Sequence, residues 1–124
     1  MKFIGCIQLI KDDFNNVLIM KKKAKRGTIS KWTLLEQKIR GKESEEKCLA
    51  RAAKDILKTI VFDNKEFKEY KINEDEAIRV YVGTLKEKFI LDKSYDEAKW
   101  INKSRIDDFD IEELDKKILL DYFN

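Results

Sequence analysis

The feature that most constrains this chain is a helical repeat of apolar residues over residues 43–58. Apolar side chains recur at spacings of three and four residues, as expected of a helix that buries one face, at Leu49, Ala53, Ile56 and Ile60. Ser44 suits the N-cap, and the glutamates after it would lie where a helix N-terminus favours negative charge. The other side of the repeat carries the basic residues Arg51, Lys54 and Lys58. The repeat predicts an amphipathic helix that packs on a sheet.

Short apolar or alternating runs on both sides of this helix predict β-strands. The predicted strands cover residues 3–10, 17–22, 67–72, 77–85 and 97–101, with a short extension at 89–91. Asp and Asn side chains at 12–16 supply turn chemistry, so the first two strands should form a hairpin. Residues 61–65 are predicted as a turn and 102–109 as a helical turn. A closing helix is predicted at 112–123, with one face formed by Leu114, Ile118, Leu119 and Tyr122.

Length and composition limit the class of protein. A chain of 124 residues, 43% of them hydrophobic, is long enough for one folded domain over residues 1–124. Histidine is absent, which removes Ser–His catalysis, Cys–His catalysis and every histidine metal site. The two cysteines, Cys6 and Cys48, do not make a disulfide framework or a zinc site, and we expect buried, reduced thiols in a cytoplasmic protein. No apolar run has the form of a signal peptide or a membrane span.

Positive charge is concentrated in the first half of the chain. Residues 1–60 hold 15 Lys and Arg against 7 Asp and Glu, whereas the remainder holds 12 against 17. The densest basic run covers residues 21–26, from Lys21 to Arg26. We interpret it first as a solvated strand end and loop, with a phosphate- or RNA-contacting patch as the alternative. No aromatic residues alternate with these charges, so we do not expect nucleic acid to be the partner.

The segment that leads into the predicted helix gives a more specific signal. It resembles the box of the Nudix (MutT-type) hydrolases, written G-x5-E-x7-R-E-U-x-E-E-x-G-U, where U is aliphatic. Placing the first glutamate of the box on Glu43 puts its arginine on Arg51, eight residues later. Asp55 then falls on the first glutamate of the E-E pair, and Trp32 and Leu34 match the W-x-L that commonly precedes the box.

The same alignment shows where the box has changed. Ala52 and Ile56 replace two glutamates, and Lys58 replaces the closing glycine. Residues 35–37 read Leu-Glu-Gln where the family has P-G-G. In the family, carboxylates on one helix face hold divalent ions, usually magnesium, against the pyrophosphate of the substrate. Because Asp55 alone remains at these three positions, we expect magnesium to bind the free protein weakly or not at all.

The resemblance continues beyond the box. Residues 97–101, Glu-Ala-Lys-Trp-Ile, resemble the E-A-x-W-aliphatic strand common in Nudix proteins, and the predicted short and closing helices follow it. The resemblance therefore covers nearly the whole chain. It implies the α/β (α+β) class, as a Nudix-like α/β/α sandwich with a mixed β-sheet.

The resemblance also implies a set of site residues. Glu43, Arg51 and Asp55 are the remnants of the catalytic box, in which Glu43 and Arg51 tie the loop to the helix. Asp55 and Glu97 are the candidate metal ligands, with Asp96 as the alternative to Glu97. The candidate substrate-binding residues are the basic side chains of the loop, Lys38, Arg40 and Lys42.

Three functions remain open. The first is a Nudix-fold protein that has lost pyrophosphohydrolase chemistry and binds a nucleotide or another phosphorylated ligand. The second is an active magnesium-dependent hydrolase of nucleoside diphosphate-linked substrates, which would use Asp55 with Asp96 or Glu97. The third is an interaction protein that docks an acidic partner through residues 21–26. Magnesium dependence separates the second from the others, and a ligand-induced thermal shift separates the first from the third.

Overall fold

The computed structural model describes residues 1–124 and contains seven strands and two α-helices. The strands are β1 (Lys2–Lys11), β2 (Val17–Lys22), β3 (Trp32–Thr33), β4 (Leu35–Lys38), β5 (Val61–Lys71), β6 (Glu76–Leu85) and β7 (Tyr95–Ile101). The α-helices are α1 (Glu45–Ala52) and α2 (Glu113–Phe123). A π-helical turn, Ala53–Leu57, continues α1, and a 3-10 helix, Lys103–Asp108, precedes α2. Neither α-helix has the length and apolar character needed to cross a membrane.

The sheet is mixed, with β1 at its centre. β1 runs parallel to β6 and antiparallel to β4, and β5 pairs with the far side of β6. β2 turns back from β1 in a hairpin and pairs with β7 on one side and β3 on the other. The parallel β1–β6 pair requires a crossover, and the predicted box helix supplies part of it.

Helices cover both faces of this sheet. On one face, Ile118 and Leu119 of α2 join a cluster that contains Ile7 and Leu9 of β1. On the other face, Ile56 and its neighbours after α1 pack with Ile10, Leu18 and Met20. Successive side chains of a strand point to opposite faces, so a strand covered on both faces is apolar at nearly every position. The predicted α/β/α sandwich with a mixed sheet is confirmed.

The box helix differs from its prediction near its end. Ser44 is the N-cap, and its hydroxyl accepts a hydrogen bond from the Lys47 amide at 3.1 Å. The α-helix stops at Ala52, and the next residues form the π-helical turn, closed by Lys58 in the left-handed conformation with φ 55°. The wider turn moves later residues off the apolar stripe. Ile60, which the periodicity placed on that stripe, is 67% exposed.

Two other local predictions were wrong. Residues 61–65 are the start of β5 rather than a turn, because a register shift between Phe62 and Lys65 lets the strand absorb them as a bulge. Residues 89–91 form no strand. They cap the π-helical turn instead, through the amide of Ile90, which donates to the carbonyl of Leu57 at 3.0 Å.

Candidate functional site

Arg51 and Glu43 form the best-defined polar contact at the box. Arg51 donates from Nε to Glu43 Oε2 and from Nη2 to Glu43 Oε1, each at 2.9 Å. Its Nη2 also donates to the carbonyl of Lys38 at 2.8 Å. We call these three hydrogen bonds the box clamp. The clamp joins the end of β4, the following loop and α1, which is the structural role that the resemblance implied for the pair.

Glu43 also forms two hydrogen bonds with Arg40 within the loop between β4 and α1. Its carboxylate accepts from the Arg40 amide at 3.1 Å, and its own amide donates to the Arg40 carbonyl at 2.9 Å. The hydrogen bonds from Arg51, followed by that from the Arg40 backbone, lower the pKa of Glu43 to about 2. Glu43 is therefore ionised near neutral pH and is a weaker base than an ordinary carboxylate.

The two altered glutamate positions face the core. Ala52 is 1% exposed and Ile56 is 5% exposed, and both pack in the apolar cluster that includes Leu35 and Tyr95. Asp55 lies between them in sequence but is exposed. The face that would hold carboxylates in an intact box is filled here by apolar side chains.

The second pair of candidate ligands does not complete a site. Asp96 is exposed on β7, and Glu97 lies 3.9 Å from Lys99 and opposite Lys21 of β2. No group of three Asp, Glu or Cys side chains converges anywhere in the molecule. Magnesium needs several hard oxygen ligands, so this donor set does not fit it.

A lysine and an aspartate that sequence reasoning did not pair lie at the end of the box. Lys58 Nζ donates to Asp92 Oδ1 at 2.9 Å and to the carbonyl of Asp55 at 2.7 Å. The hydrogen bonds from Ser94, followed by that from Lys58, hold the pKa of Asp92 well below its usual range. The spacing Asp-x-Ser at 92–94 is a local turn signal that could have drawn attention to Asp92. Its position beside the box could not be read from the sequence.

A large cavity lies beside the box clamp, between β4 and the start of α2. It measures about 1370 Å³. Its basic lining residues are Lys22, Lys31, Lys38, Arg40, Lys71 and Lys117. Two of the three candidate substrate-binding residues, Lys38 and Arg40, therefore share this space, which we call the α2 cavity. The third, Lys42, lies in the exposed turn before α1 and is not part of the lining.

Four carboxyl groups line the α2 cavity, at Glu36, Glu112, Glu113 and Asp115, and none was predicted as a site residue. Asp115 is 1% exposed and accepts from the Leu34 amide at 3.2 Å. Burial, followed by the negative charge of Glu36, raises the pKa of Asp115 to about 7. Glu36 is exposed on β4, and partial desolvation raises its pKa as well. Asp115 therefore keeps its proton to a higher pH than an ordinary aspartate, and in that form it can donate a hydrogen bond.

The basic run at 21–26 does not form one surface. Lys21 Nζ lies 5.7 Å from the centre of the Trp32 ring, and Lys22 lines the α2 cavity. Residues 23–26 are exposed. Of the two tryptophans, Trp32 is buried against Phe109, whereas Trp100 is 39% exposed at the sheet edge.

Comparison with known proteins identifies the fold. No protein-family model matches the sequence, and no curated protein matches it. A MutT structure, from work on the Aliivibrio salmonicida and Vibrio cholerae proteins, superposes with a TM-score of 0.82 at 13% identity, covering 98% of both chains. A MutT NUDIX hydrolase from Burkholderia pseudomallei superposes with a TM-score of 0.78 at 16% identity, covering 100% of both chains. The NUDIX domain of Shewanella oneidensis NrtR, complexed with ADP ribose, superposes with a TM-score of 0.75 at 12% identity, covering 98% of this chain and 86% of that one. The chain has the Nudix fold.

Proposed function

We propose that this Nudix-fold chain binds a nucleotide or a related phosphorylated small molecule in the α2 cavity, and that magnesium-dependent hydrolysis is impaired. The observation that carries the proposal is the combination, in one cavity, of basic side chains with the Asp115–Glu36 carboxyl pair. We expect the protein to act in the cytoplasm, where free thiols such as Cys6 and Cys48 stay reduced.

The basic lining supports the phosphate half of the ligand. Lys38 and Arg40 stand at the end of β4, where the box clamp holds the backbone carbonyl of Lys38. Lys22 and Lys117 line the same space from β2 and α2. Lysine and arginine side chains recognise phosphate through charge-assisted hydrogen bonds, and arginine can do so with two parallel bonds.

The carboxyl pair supports recognition of the nucleobase part of the ligand. A protonated Asp115 can donate one hydrogen bond, and an ionised Glu36 can accept another. A nucleobase presents a donor and an acceptor side by side on its hydrogen-bonding edge, so it can satisfy both groups at once. A ligand without such an edge would leave the buried Asp115 carboxyl without this second partner, which costs affinity.

The box supports the loss of hydrolysis. Ala52 and Ile56 offer no oxygen ligands, and the Asp92 carboxylate is already neutralised by Lys58. Water activation and phosphoryl polarisation by a divalent ion both require that the protein hold the ion in place. The NUDIX domain of the Shewanella oneidensis protein was crystallised with ADP ribose, which makes ADP-ribose a suitable probe here.

Binding can be tested by calorimetry with ADP-ribose, ADP and inorganic pyrophosphate, each without magnesium. We expect ADP-ribose and ADP to bind. Lys38→Ala with Arg40→Ala should weaken ADP and pyrophosphate alike, by roughly tenfold or more. Asp115→Leu, which is similar in shape, should weaken ADP and leave pyrophosphate unchanged. Lys54→Ala, an exposed position outside the cavity, is the control.

Two results would contradict the proposal. Nucleotide affinities that do not change in any cavity variant, with folding verified by circular dichroism, would place the ligand elsewhere. Magnesium-dependent release of AMP from ADP-ribose by the parent protein would instead favour an active hydrolase that uses Asp55 with Asp96 or Glu97.

A further inference from the structure

The two cysteines of the chain meet in the core although they are 42 residues apart. Cys6 lies on β1 and Cys48 on α1, and their Sγ atoms are 2.7 Å apart. Both are free thiols, and their side chains are buried with Leu49. No other side chain of the chain carries a thiol, so each sulfur has the other as its only partner for a disulfide.

We propose that Cys6 and Cys48 are a redox-modifiable pair, which a hydroperoxide converts to an intramolecular disulfide that joins β1 to α1. Cys6 borders the α2 cavity, but both thiols are buried, at 1% and 0% exposed, so an oxidant reaches the sulfurs only when the packing around them opens. The proposal is independent of the function proposed above, because it needs neither a nucleotide nor the carboxyl pair.

Hydrogen bonds indicate which sulfur reacts first. Cys48 Sγ accepts from Cys6 Sγ and lies 3.9 Å from Arg51 Nη2, a donor with positive charge. Both groups favour a thiolate at Cys48, with the hydrogen bond from Cys6 as the larger effect, because the charge of Glu43 opposes that of Arg51. When Cys48 is protonated, it donates instead to the carbonyl of Gln37 at 3.6 Å. Cys48 is therefore the sulfur that attacks the peroxide, and Cys6 is the resolving thiol.

The chemistry balances with one peroxide for each bridge. The Cys48 thiolate attacks one oxygen of hydrogen peroxide, the O–O bond breaks, and hydroxide leaves as Cys48 becomes a sulfenic acid. Cys6 then loses its proton and attacks the sulfenic sulfur, which forms the S–S bond and expels a second hydroxide. The two thiol protons neutralise the two hydroxides. Two thiols and one hydrogen peroxide thus give one disulfide and two waters.

Burial sets the rate of this reaction. Desolvation raises the pKa of both thiols, so little thiolate is present at neutral pH. The pair should therefore respond to sustained peroxide rather than to a brief pulse. Once formed, the bridge closes a long loop of the unfolded chain, which should stabilise the folded state.

The reaction can be followed on the purified, fully reduced protein treated with hydrogen peroxide. Trypsin places Cys6 in the peptide 3–11 and Cys48 in the peptide 48–51, so a disulfide appears as one linked peptide by mass spectrometry. We expect that linked peptide in a monomeric product, its disappearance with dithiothreitol, and a melting temperature raised by about 5–15 °C. Peptide mapping is needed because Met1, which is 66% exposed, will also gain oxygen.

Cys48→Ala and Cys6→Ala are the matched controls. Without its partner, the remaining cysteine should show no rise in melting temperature on peroxide treatment. Free thiols that persist under millimolar peroxide, or sulfinic acid in the parent without the linked peptide, would overturn the proposal. A linked product with a lower melting temperature would overturn it too, because the native positions would then not accommodate the bridge.

Discussion

Arg51 holds Glu43 through two parallel hydrogen bonds, each 2.9 Å long, across a separation of eight residues. Both side chains are mostly shielded, with 16% and 15% of their surfaces exposed. The same guanidinium also reaches the carbonyl of Lys38 at 2.8 Å. One arginine in the last turn of α1 therefore ties the helix to the end of a strand and to the loop between them, although the glutamates that accompany it in an intact box are absent.

Arg51→Lys should loosen this loop. Lysine keeps the charge but cannot form the two-point contact, so we expect a melting temperature lower by about 5 °C and faster amide hydrogen exchange over residues 39–44. Arg105→Lys is the matched control, because Arg105 pairs with Asp108 in a contact that is more than half exposed on both sides. Equal effects of the two substitutions would show that the box clamp has no special structural role.

Asp115→Asn should change how stability depends on pH. The pKa of Asp115 is about 7 in the folded chain and near 4 in the unfolded chain, so the folded protein binds more protons between these values. Stability contributed by this group is then present below pH 4 and is lost as pH rises through 7. At pH 8 we expect the free energy of unfolding of the variant to exceed that of the parent by on the order of 2 kcal/mol. At pH 4 this difference should disappear.

Chemical denaturation at a series of pH values measures this difference. At each pH, the free energy of unfolding of the variant is subtracted from that of the parent. This removes the contribution of carboxyls with lowered pKa, such as Glu43, whose effect on stability has the opposite dependence on pH. Glu113→Gln, an exposed carboxyl on the same helix, is the control. A parent-minus-variant difference that stays constant from pH 4 to pH 8 would contradict a raised pKa at Asp115.

Ala52→Glu combined with Ile56→Glu should rebuild a carboxylate face with Asp55. Both parent side chains are buried, so two carboxyls placed there should lower the free energy of unfolding by roughly 3 kcal/mol or more. Millimolar magnesium should restore part of this loss, since an ion that binds only the folded state stabilises it. The parent should melt at the same temperature with and without magnesium.

The matched control for the rebuilt face carries Gln at both positions. It has the same size and polarity but no charge to hold the ion, so magnesium should not rescue it. Equal responses of the Glu and Gln variants to magnesium would count against positions 52 and 56 as former ligand positions.

Lys58→Gly should be more stable than Lys58→Ala. Lys58 has φ 55°, a conformation that glycine adopts freely and that costs other residues about 1 kcal/mol. Both variants lose the ion pair with Asp92, so the difference between their free energies of unfolding reports the cost of the left-handed backbone conformation. Chemical or thermal denaturation should therefore give the glycine variant a free energy of unfolding about 1 kcal/mol higher than that of the alanine variant. The reverse order would mean that the π-helical turn relaxes when the lysine is removed.

Local patterns in the sequence determined most of the architecture. Short apolar or alternating runs predicted β1, β2, β6, β7 and the later part of β5, and helical repeats predicted α1 and α2. These predictions succeed because a strand or helix that buries one or two faces leaves a periodic record of that burial in its own residues. The eight-residue spacing of Glu43 and Arg51 was also readable, since both ends of the contact belong to one motif.

Predictions failed where a neighbour in space overrode the local pattern. Ile60 continued the apolar repeat but is exposed, because a π-helical turn intervenes and the loop around Ile90 caps its end. Residues 61–65 looked like a turn because of their Asp and Asn, yet pairing with β6 draws them into β5 as a bulge. In both places, hydrogen bonds to a distant segment outweighed the preference of the residues themselves.

The chemistry of the molecule was decided by the tertiary structure. Asp115 is one side-chain carboxyl among 24 in the sequence, and its pKa is raised by burial and then by the charge of Glu36 on β4. Cys6 and Cys48 become partners only when α1 docks on β1. The sequence determined which elements form, because burial periodicity is local. The fold alone decided which side chains share a low-dielectric space, because pKa and reactivity depend on distances between residues far apart in the chain.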